Sequence, residues 1–302
     1  FCGLEHKNST ILQAGRFDLP NPNKTNELTD NYKIFLSLCS HEYFHAWNIC
    51  RIKPKEFVPY NLQEEVYTEQ LWAYEGITSY YDDFSLYRTG LISFEQYLKI
   101  LSKTATRVHR GQGELKQTVC ESSYYAWTKF YQQGPDAVNN IVSYYTKGAL
   151  IALWLDLTIR SKSKQTYSLD NLMRELWIHF GRTGQGTQED DFINICNILC
   201  QEDISDSFKQ LLHSAERVDL APLLKQVGID YQTSKFSQLN ELTLTDTNDY
   251  QAYLGAHYKD HSLGVKITNV LQNSPAAKAG LAVNDILIAI DNTKISKNLY
   301  SN

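Results

Sequence analysis

From residue 31 onwards, apolar side chains recur every three or four positions, which is the spacing of an amphipathic helix. The first predicted helix carries Ile34, Leu38, His41, Phe44, His45 and Asn48 on this spacing. Ser93 is a good N-cap for another helix. The same spacing predicts helices over 65–86, 145–159, 170–180, 190–200 and 204–212. Residues 111–140 show no clear period, so we expect an irregular segment inside a mostly helical domain that spans 31–235.

On either side of this helical stretch, the pattern changes to short extended runs. Residues 1–30 mix extended signals with turns and read as the end of a β region. Residues 245–302 read as a small β-rich module. Within that module, 265–268 and 286–290 are candidate strands, and 274–280 predicts a short helix that ends at a glycine.

Composition narrows the choice of partners. The chain has 302 residues, of which 42% are hydrophobic and 21% charged, with a net charge of −5. This composition suits folded domains with a sizeable core, and the lack of a basic patch argues against nucleic acid as a partner. No apolar run is long enough to predict a membrane span. The chain begins with Phe1 in what reads as the middle of a domain, so we expect a piece of a longer protein.

Six scattered cysteines bear on the compartment. None forms a CxxC pair, and a chain of this length with this spacing does not predict a disulfide framework. We interpret the cysteines as free thiols, which slightly favours the cytoplasm and leaves the periplasm open.

The motif with the clearest chemistry is H-E-x-x-H at 41–45. Four residues advance a helix by roughly 400° and about 6 Å, so both imidazoles leave one face one turn apart. Two imidazole nitrogens can then reach a single Zn²⁺ at about 2.0–2.1 Å. Glu42 lies beside His41 and is the candidate general base. His41 and His45 are the candidate metal ligands.

A third protein ligand is needed, and two interpretations compete. Glu64 and Glu65 follow a polar stretch after a proline loop, where acids favour a helix N-terminus on the surface. Glu75 instead lies among Leu71, Trp72, Tyr74 and Ile77. A carboxylate on such an apolar face costs free energy unless it meets a cation. We therefore assign Glu75 as the third ligand.

These motifs resemble a known family. H-E-x-x-H followed by an apolar W-x-x-E-G-x-x-x-Y segment is similar to the gluzincin aminopeptidases, and more narrowly to the M61 glycyl aminopeptidases. Four segments carry this resemblance in the family's order: G-L-E-H at 3–6, H-E-Y-F-H-A-W-N at 41–48, R-I-K-P at 51–54 and Y-Y-T-K-G-A at 144–149. The resemblance implies a mainly α, thermolysin-like catalytic domain and a small β-rich PDZ-like domain, here truncated before the second PDZ helix.

The resemblance also implies roles for single residues. Gly3 and Glu5 match a strand-borne motif that binds the substrate's free α-amino group, which makes Glu5 the amine anchor; the alternative is an ordinary surface acid. Tyr145 matches a tyrosine that stabilises the oxyanion, whereas Tyr144 reads as a core aromatic. One departure is visible, because Cys2 stands where the family often has a second glycine.

The C-terminal module has its own candidate site. Tyr253, Leu254, Gly255 and Ala256 resemble the carboxylate-binding loop of PDZ domains, which captures C-terminal peptides through backbone N–H groups. A docking module that binds no peptide is an equal alternative.

Together these residues predict a zinc aminopeptidase that acts on peptides with a free N-terminus, with glycine or alanine as the implied first residue. Two rivals share the motif: a zinc endopeptidase, and a non-catalytic scaffold with a PDZ module and a structural metal.

Overall fold

The computed structural model describes residues 2–20, 28–233 and 253–295. Helices make up most of the part before residue 230. They are α1 (Asp30–Phe44), α2 (Ile77–Arg88), α3 (Phe94–Arg110), α4 (Val119–Tyr124), α5 (Ala137–Asn140), α6 (Thr146–Lys162), α7 (Leu169–Leu176), α8 (Glu189–Cys200), α9 (Ser205–His213) and α10 (Ala221–Gln226). Three π-helical segments lie between them, at Trp72–Gly76, Ala126–Phe130 and Trp177–Gly181. The expected fold class, mainly helical with a small β module, is confirmed.

Helix α6 runs through the centre of the helical part. Leu150, Ile151, Leu155 and Ile159 are fully buried, and the helix is apolar nearly all round, as expected for a helix with neighbours on every side. It packs against α2, α3, α8 and the π-helical segment Trp72–Gly76. This segment continues directly into α2, and α1 packs on α2, so the two sequence motifs are held on one framework.

The predicted helix over 65–86 is wrong at its start. Residues 65–70 form an irregular loop, and helical structure begins only at Leu71. Buried polar side chains explain the difference: Thr68 donates a hydrogen bond to Glu56 Oε2 at 3.2 Å, and Gln70 donates one to the carbonyl of Thr187 at 3.1 Å. These tertiary bonds override a local preference for helix.

The segment 111–140 is more ordered than predicted. It contains the short helices α4 and α5 and the π-helical segment Ala126–Phe130. Thr118 caps α4 through a capping box with Glu121, a T-x-x-E signal that the sequence displays and that could have located this helix.

Two β regions flank the helices. Strands β1 (Cys2–Glu5) and β2 (Thr10–Gln13) form an antiparallel hairpin that pairs Gly3 with Leu12 and packs on α1. Strands β3 (Ala256–His261), β4 (Gly264–Val270) and β5 (Ile286–Leu287) form the C-terminal sheet, and β6 (Ala289–Ile290) pairs with β7 (Thr293–Lys294). Helix α11 (Pro275–Lys278) begins after the N-cap Ser274, and Gly280 beyond it has a positive φ of 79°, as the glycine signal predicted. The parts of the predicted module at 245–252 and 296–302 lie outside the described residues.

Two other predictions concern membrane spans and disulfide bonds. Among the described residues, no helix combines the length and apolar character needed to cross a membrane. All six cysteines are free thiols, and Cys120, Cys196 and Cys200 are buried.

Candidate active site

The two histidines of the motif meet at the end of α1. Their Nε2 atoms lie 3.0 Å apart, and their rings are perpendicular, 4.6 Å between centroids. His45 is the C-cap of α1 and is only 1% exposed. The helix ends at Phe44, earlier than the predicted spacing through Asn48, but His45 N–H still bonds to the His41 carbonyl at 3.2 Å. The one-turn offset required for a shared ion is therefore preserved.

Glu75 reaches the same point from the π-helical segment Trp72–Gly76. Its Oε2 lies 3.3 Å from Nε2 of His41 and 3.3 Å from Nε2 of His45. Both separations are within ion-pair range, yet this buried oxygen has no hydrogen-bond partner among the described residues. Burial alone would raise the pKa of Glu75, but the two imidazoles lower it to about 2. Single π turns inside helices often occur at functional sites, because the extra residue re-aims a side chain.

The competing acids lie elsewhere. Glu64 and Glu65 are exposed, and Glu65 accepts a hydrogen bond from the Tyr67 hydroxyl at 2.8 Å. Among the described residues, the cluster that contains both histidines of the motif and an acid from downstream of it is His41, His45 and Glu75. The structure thus brings Glu75, and neither alternative, to the imidazole pair.

Polar partners that the sequence analysis missed fix the two rings. Asp82 Oδ2 accepts from His41 Nδ1 at 3.0 Å, and the Asn48 carbonyl accepts from His45 Nδ1 at 3.0 Å. Both Nε2 atoms are left facing Glu75. Burial lowers the pKa of His41, but the carboxylates of Asp82 and Glu75 outweigh it and raise that pKa to about 10. Asp82 follows Glu75 by two helical turns, so its spacing could have identified it.

Asn48 connects the two halves of the site. Its side-chain Nδ2 donates to the carbonyls of Ala73 and Tyr74, at 3.1 and 3.0 Å, and to the Thr78 hydroxyl at 3.1 Å. The buried side-chain amide of Asn48 therefore holds the turn after α1 against the segment that bears Glu75, while the backbone carbonyl of the same residue orients His45.

The Glu42 side chain lies against Gly3 of the β1–β2 hairpin. It is 7% exposed, and its Oε2 has no hydrogen-bond partner among the described residues. Burial raises the pKa of Glu42, while His41 and His45 lower it in part. A Cβ placed on Gly3 would overlap the Glu42 side chain, so glycine at this position leaves room for that side chain beside β1. Glu5, half-buried on the same strand, offers a carboxylate oxygen within 4.8 Å of ligand atoms on both Glu42 and His45.

Tyr145 lies beside the imidazole of His41. Its ring is nearly parallel to that of His41, with 6.3 Å between centroids, and its hydroxyl lies 3.1 Å from the Tyr131 hydroxyl. Burial, and then the Glu75 carboxylate, raises the pKa of Tyr145 well above its usual range, so its hydroxyl stays protonated. Tyr144 is 1% exposed and stacks behind Tyr145, as expected of a core aromatic.

Two glycines allow the segments that carry Glu75 and Tyr145 to pack closely against each other. A Cβ on Gly76 would lie 2.4 Å from Gly148 Cα, and one on Gly148 would lie 2.8 Å from Gly76 Cα. The E-G and Y-x-K-G motifs therefore meet backbone to backbone, where α6 crosses the π-helical segment.

We expect Gly76→Ala to destabilise the protein by about 2 kcal/mol. Overpacking costs about 1–3 kcal/mol, and the better helix propensity of alanine offsets at most about 1 kcal/mol of it, because the clashing atoms are backbone and cannot rotate away. Urea unfolding would measure the change. Gly134→Ala is the matched control, since a Cβ there meets nothing within 4 Å, and we expect it to stay within about 0.5 kcal/mol of the parent. Equal midpoints for both variants would contradict the close approach.

The predicted PDZ loop follows a left-handed turn. Gly255 has a φ of 74°, and its carbonyl accepts from Leu271 N–H at 2.8 Å. The Leu254 carbonyl accepts from Ala276 N–H at 2.9 Å, which ties the loop to α11. Tyr253 and Ala256 flank this turn, and peptide binding by residues 253–256 stays a prediction.

Comparison with known proteins supports the resemblance. Residues 34–151 match the family described as M61 glycyl aminopeptidase, and residues 252–300 match the PDZ domain family. Among solved structures, the chain is similar to an aminopeptidase N family protein from Idiomarina loihiensis, with 45% identity and a TM-score of 0.91. That match covers 99% of this chain and 51% of the other, so this chain spans about half the length of that protein. A search of curated proteins found no match. The family match thus lies on residues 34–151, which contain the H-E-x-x-H motif, Glu75 and Tyr145, and the PDZ match lies on the residues that follow.

Proposed function

We propose that this chain is the catalytic part of a zinc-dependent aminopeptidase that removes small N-terminal residues, glycine or alanine, from peptides. The observation that carries the proposal is the convergence of His41 Nε2, His45 Nε2 and Glu75 Oε2 on one point. The match of residues 34–151 to the M61 family and the similarity to an aminopeptidase N family protein support the reaction class.

The donor set fits zinc. A tetrahedral Zn²⁺ with bonds of about 2.0–2.1 Å keeps its ligand atoms roughly 3.3–3.4 Å apart. The three donor atoms are separated by 3.0, 3.3 and 3.3 Å, close to one face of such a tetrahedron. Glu75 Oε2 is buried without a hydrogen-bond partner among the described residues, and a cation would satisfy it. Three protein ligands, rather than four, are typical of catalytic zinc sites.

The protein's own residues supply the other steps. Bound zinc would act as a Lewis acid on the scissile carbonyl and make water a stronger acid. Glu42, with its raised pKa and a free oxygen, takes a proton from the attacking water and passes it to the leaving amine. The protonated Tyr145 hydroxyl donates a hydrogen bond to the oxyanion that develops on the carbonyl.

Glu5 sets the register of the substrate in this proposal. Its carboxylate lies near Glu42 on the strand that borders the site, so a substrate ammonium paired with Glu5 places the first peptide bond beside the general base. An acid in this place is needed by an exopeptidase, whereas an endopeptidase has no ammonium to bind.

The test compares a free glycyl or alanyl peptide with its N-acetylated form. We expect cleavage of the free peptide only, and we expect Glu5→Gln to raise KM for it by about tenfold or more, because a charge-assisted hydrogen bond contributes about 1.5–3 kcal/mol. Glu95→Gln, at an exposed acid on α3, is the matched control and should behave like the parent. Equal cleavage of both peptides would favour the endopeptidase instead.

A further inference from the structure

A second cluster of metal-ligating side chains lies in the helical part and shares no residue with the site above. Glu69 precedes the π-helical segment, Cys120 lies on α4, Glu189 opens α8 and His213 ends α9. Each offers one ligand atom, and these four atoms all lie within 4.8 Å of one another. Four separate chain segments therefore converge on one point.

Within this cluster, Glu189 contacts both the imidazole of His213 and the thiol of Cys120. His213 Nε2 lies 2.9 and 2.8 Å from the two carboxylate oxygens of Glu189. Cys120 is 1% exposed, and its Sγ lies 3.8 Å from Glu189 Oε2.

Ordinary helix-end electrostatics explains only part of this arrangement. An acid at the start of α8 and a histidine at the end of α9 each favour the local helix dipole. That preference accounts for neither the buried thiol between two carboxylates nor the approach of Glu69. Within the described ranges, Glu69 and Glu189 form no ion pair with a lysine or arginine. Among the described residues, the imidazole of His213 is therefore the basic group that pairs with Glu189, and no lysine or arginine offsets the charge of the two acids near the sulfur.

We propose that Glu69, Cys120, Glu189 and His213 bind a second divalent cation of the zinc class. Sulfur and imidazole are the ligands that select zinc-like ions, whereas magnesium and calcium require oxygen. Four protein ligands close a tetrahedral site, so this ion is structural. The exposed side chains of Glu69 and His213 can rotate to bring the ligand atoms from their present separations to zinc distances.

Such an ion would fasten α4, α8 and α9 to the segment that leads into Glu75. Glu69 lies six residues before Glu75, and the Ser123 hydroxyl of α4 accepts a hydrogen bond from Trp72 N–H at 3.0 Å. The second metal site would therefore stabilise the π-helical segment that supplies Glu75, the third ligand of the first metal site.

Cobalt(II) tests this proposal, because the two sites differ in sulfur. The first site has nitrogen and oxygen donors only, so a thiolate-to-cobalt charge-transfer band in the near ultraviolet reports the second alone. We expect the purified chain to bind two cobalt ions and to show this band. We expect Cys120→Ser to bind one ion and lose the band.

Two controls make the result specific. Cys39→Ser, at the cysteine two residues before His41, should keep the band, as should Glu42→Gln. His213→Ala changes a half-exposed side chain, so it tests the site without disturbing the core. It should weaken cobalt binding at least tenfold, since removing even a residue that only hydrogen-bonds to a metal ligand lowers metal affinity by that factor. Absence of the band in the parent protein, or its survival in Cys120→Ser, would overturn the second site and leave the first untouched.

Discussion

Glu42→Gln is expected to retain zinc and to lose nearly all peptidase turnover. Glutamine has the shape of glutamate, so it preserves the packing against Gly3, but its amide cannot accept the proton of the attacking water. General acid–base groups contribute about 10²- to 10⁴-fold to rate, and we expect kcat/KM to fall by at least the lower figure. Turnover of a free glycyl or alanyl peptide, measured beside zinc content per chain, tests this outcome.

The matched control is Glu64→Gln, which changes an exposed acid outside the cluster and should leave both readouts as in the parent. Two results would count against the assignment of Glu42. Retained turnover would remove it from the chemistry. Loss of both zinc and turnover would indicate that Glu42 is a zinc ligand. Glu42 lies close enough to His45 for this outcome to be a real alternative.

Local periodicity predicted the helical framework well, because most helices are long enough to show their buried face. The buried positions of α8 recur at helical spacing, and its ends lie within one residue of the prediction. The ends of α6 lie within three residues of the prediction. The prediction failed at 65–70, where Thr68 and Gln70 bond to residues far away in sequence. No local pattern contains those partners, so the start of the helix that carries Glu75 was not predictable from spacing.

The residues of the candidate site also differ in whether the sequence alone could identify them. Glu75 could be chosen over Glu64 because an acid among apolar residues needs a partner, and this argument is local. Helical spacing could have identified Asp82, because it lies on the same helical face as Glu75. Tyr131 was not, because its hydroxyl meets Tyr145 only through the path of the irregular segment between α4 and α5. Residues that act by tertiary contact leave no signal in a single sequence.

The backbone contact between Gly76 and Gly148 explains why the metal motif and the tyrosine motif both contain glycine. Each glycine follows its functional residue by one or three positions, so the contact fixes Glu75 and Tyr145 relative to each other rather than serving either alone. The two motifs, some seventy residues apart, thus form one structural unit.

Glu75→Ala is expected to abolish zinc binding at stoichiometric metal and, with it, peptidase activity. The variant leaves only two imidazoles and removes the negative charge that faces them. Loss of an outer partner already costs about 10- to 100-fold in metal affinity, so we expect loss of this direct ligand to exceed 100-fold. Zinc titration followed by direct metal analysis gives the affinity, and excess zinc should restore part of the turnover.

Glu65→Ala provides the decisive comparison, because Glu65 is the acid that the sequence offered as an alternative ligand. It is exposed and bonded to Tyr67, so its removal should change zinc affinity by less than about twofold. A buried carboxylate that lacks a hydrogen-bond partner, as Glu75 Oε2 does among the described residues, gains more from a cation than a solvated one does. If Glu65→Ala lost the metal while Glu75→Ala kept it, the convergence of Glu75 with His41 and His45 would have no catalytic meaning.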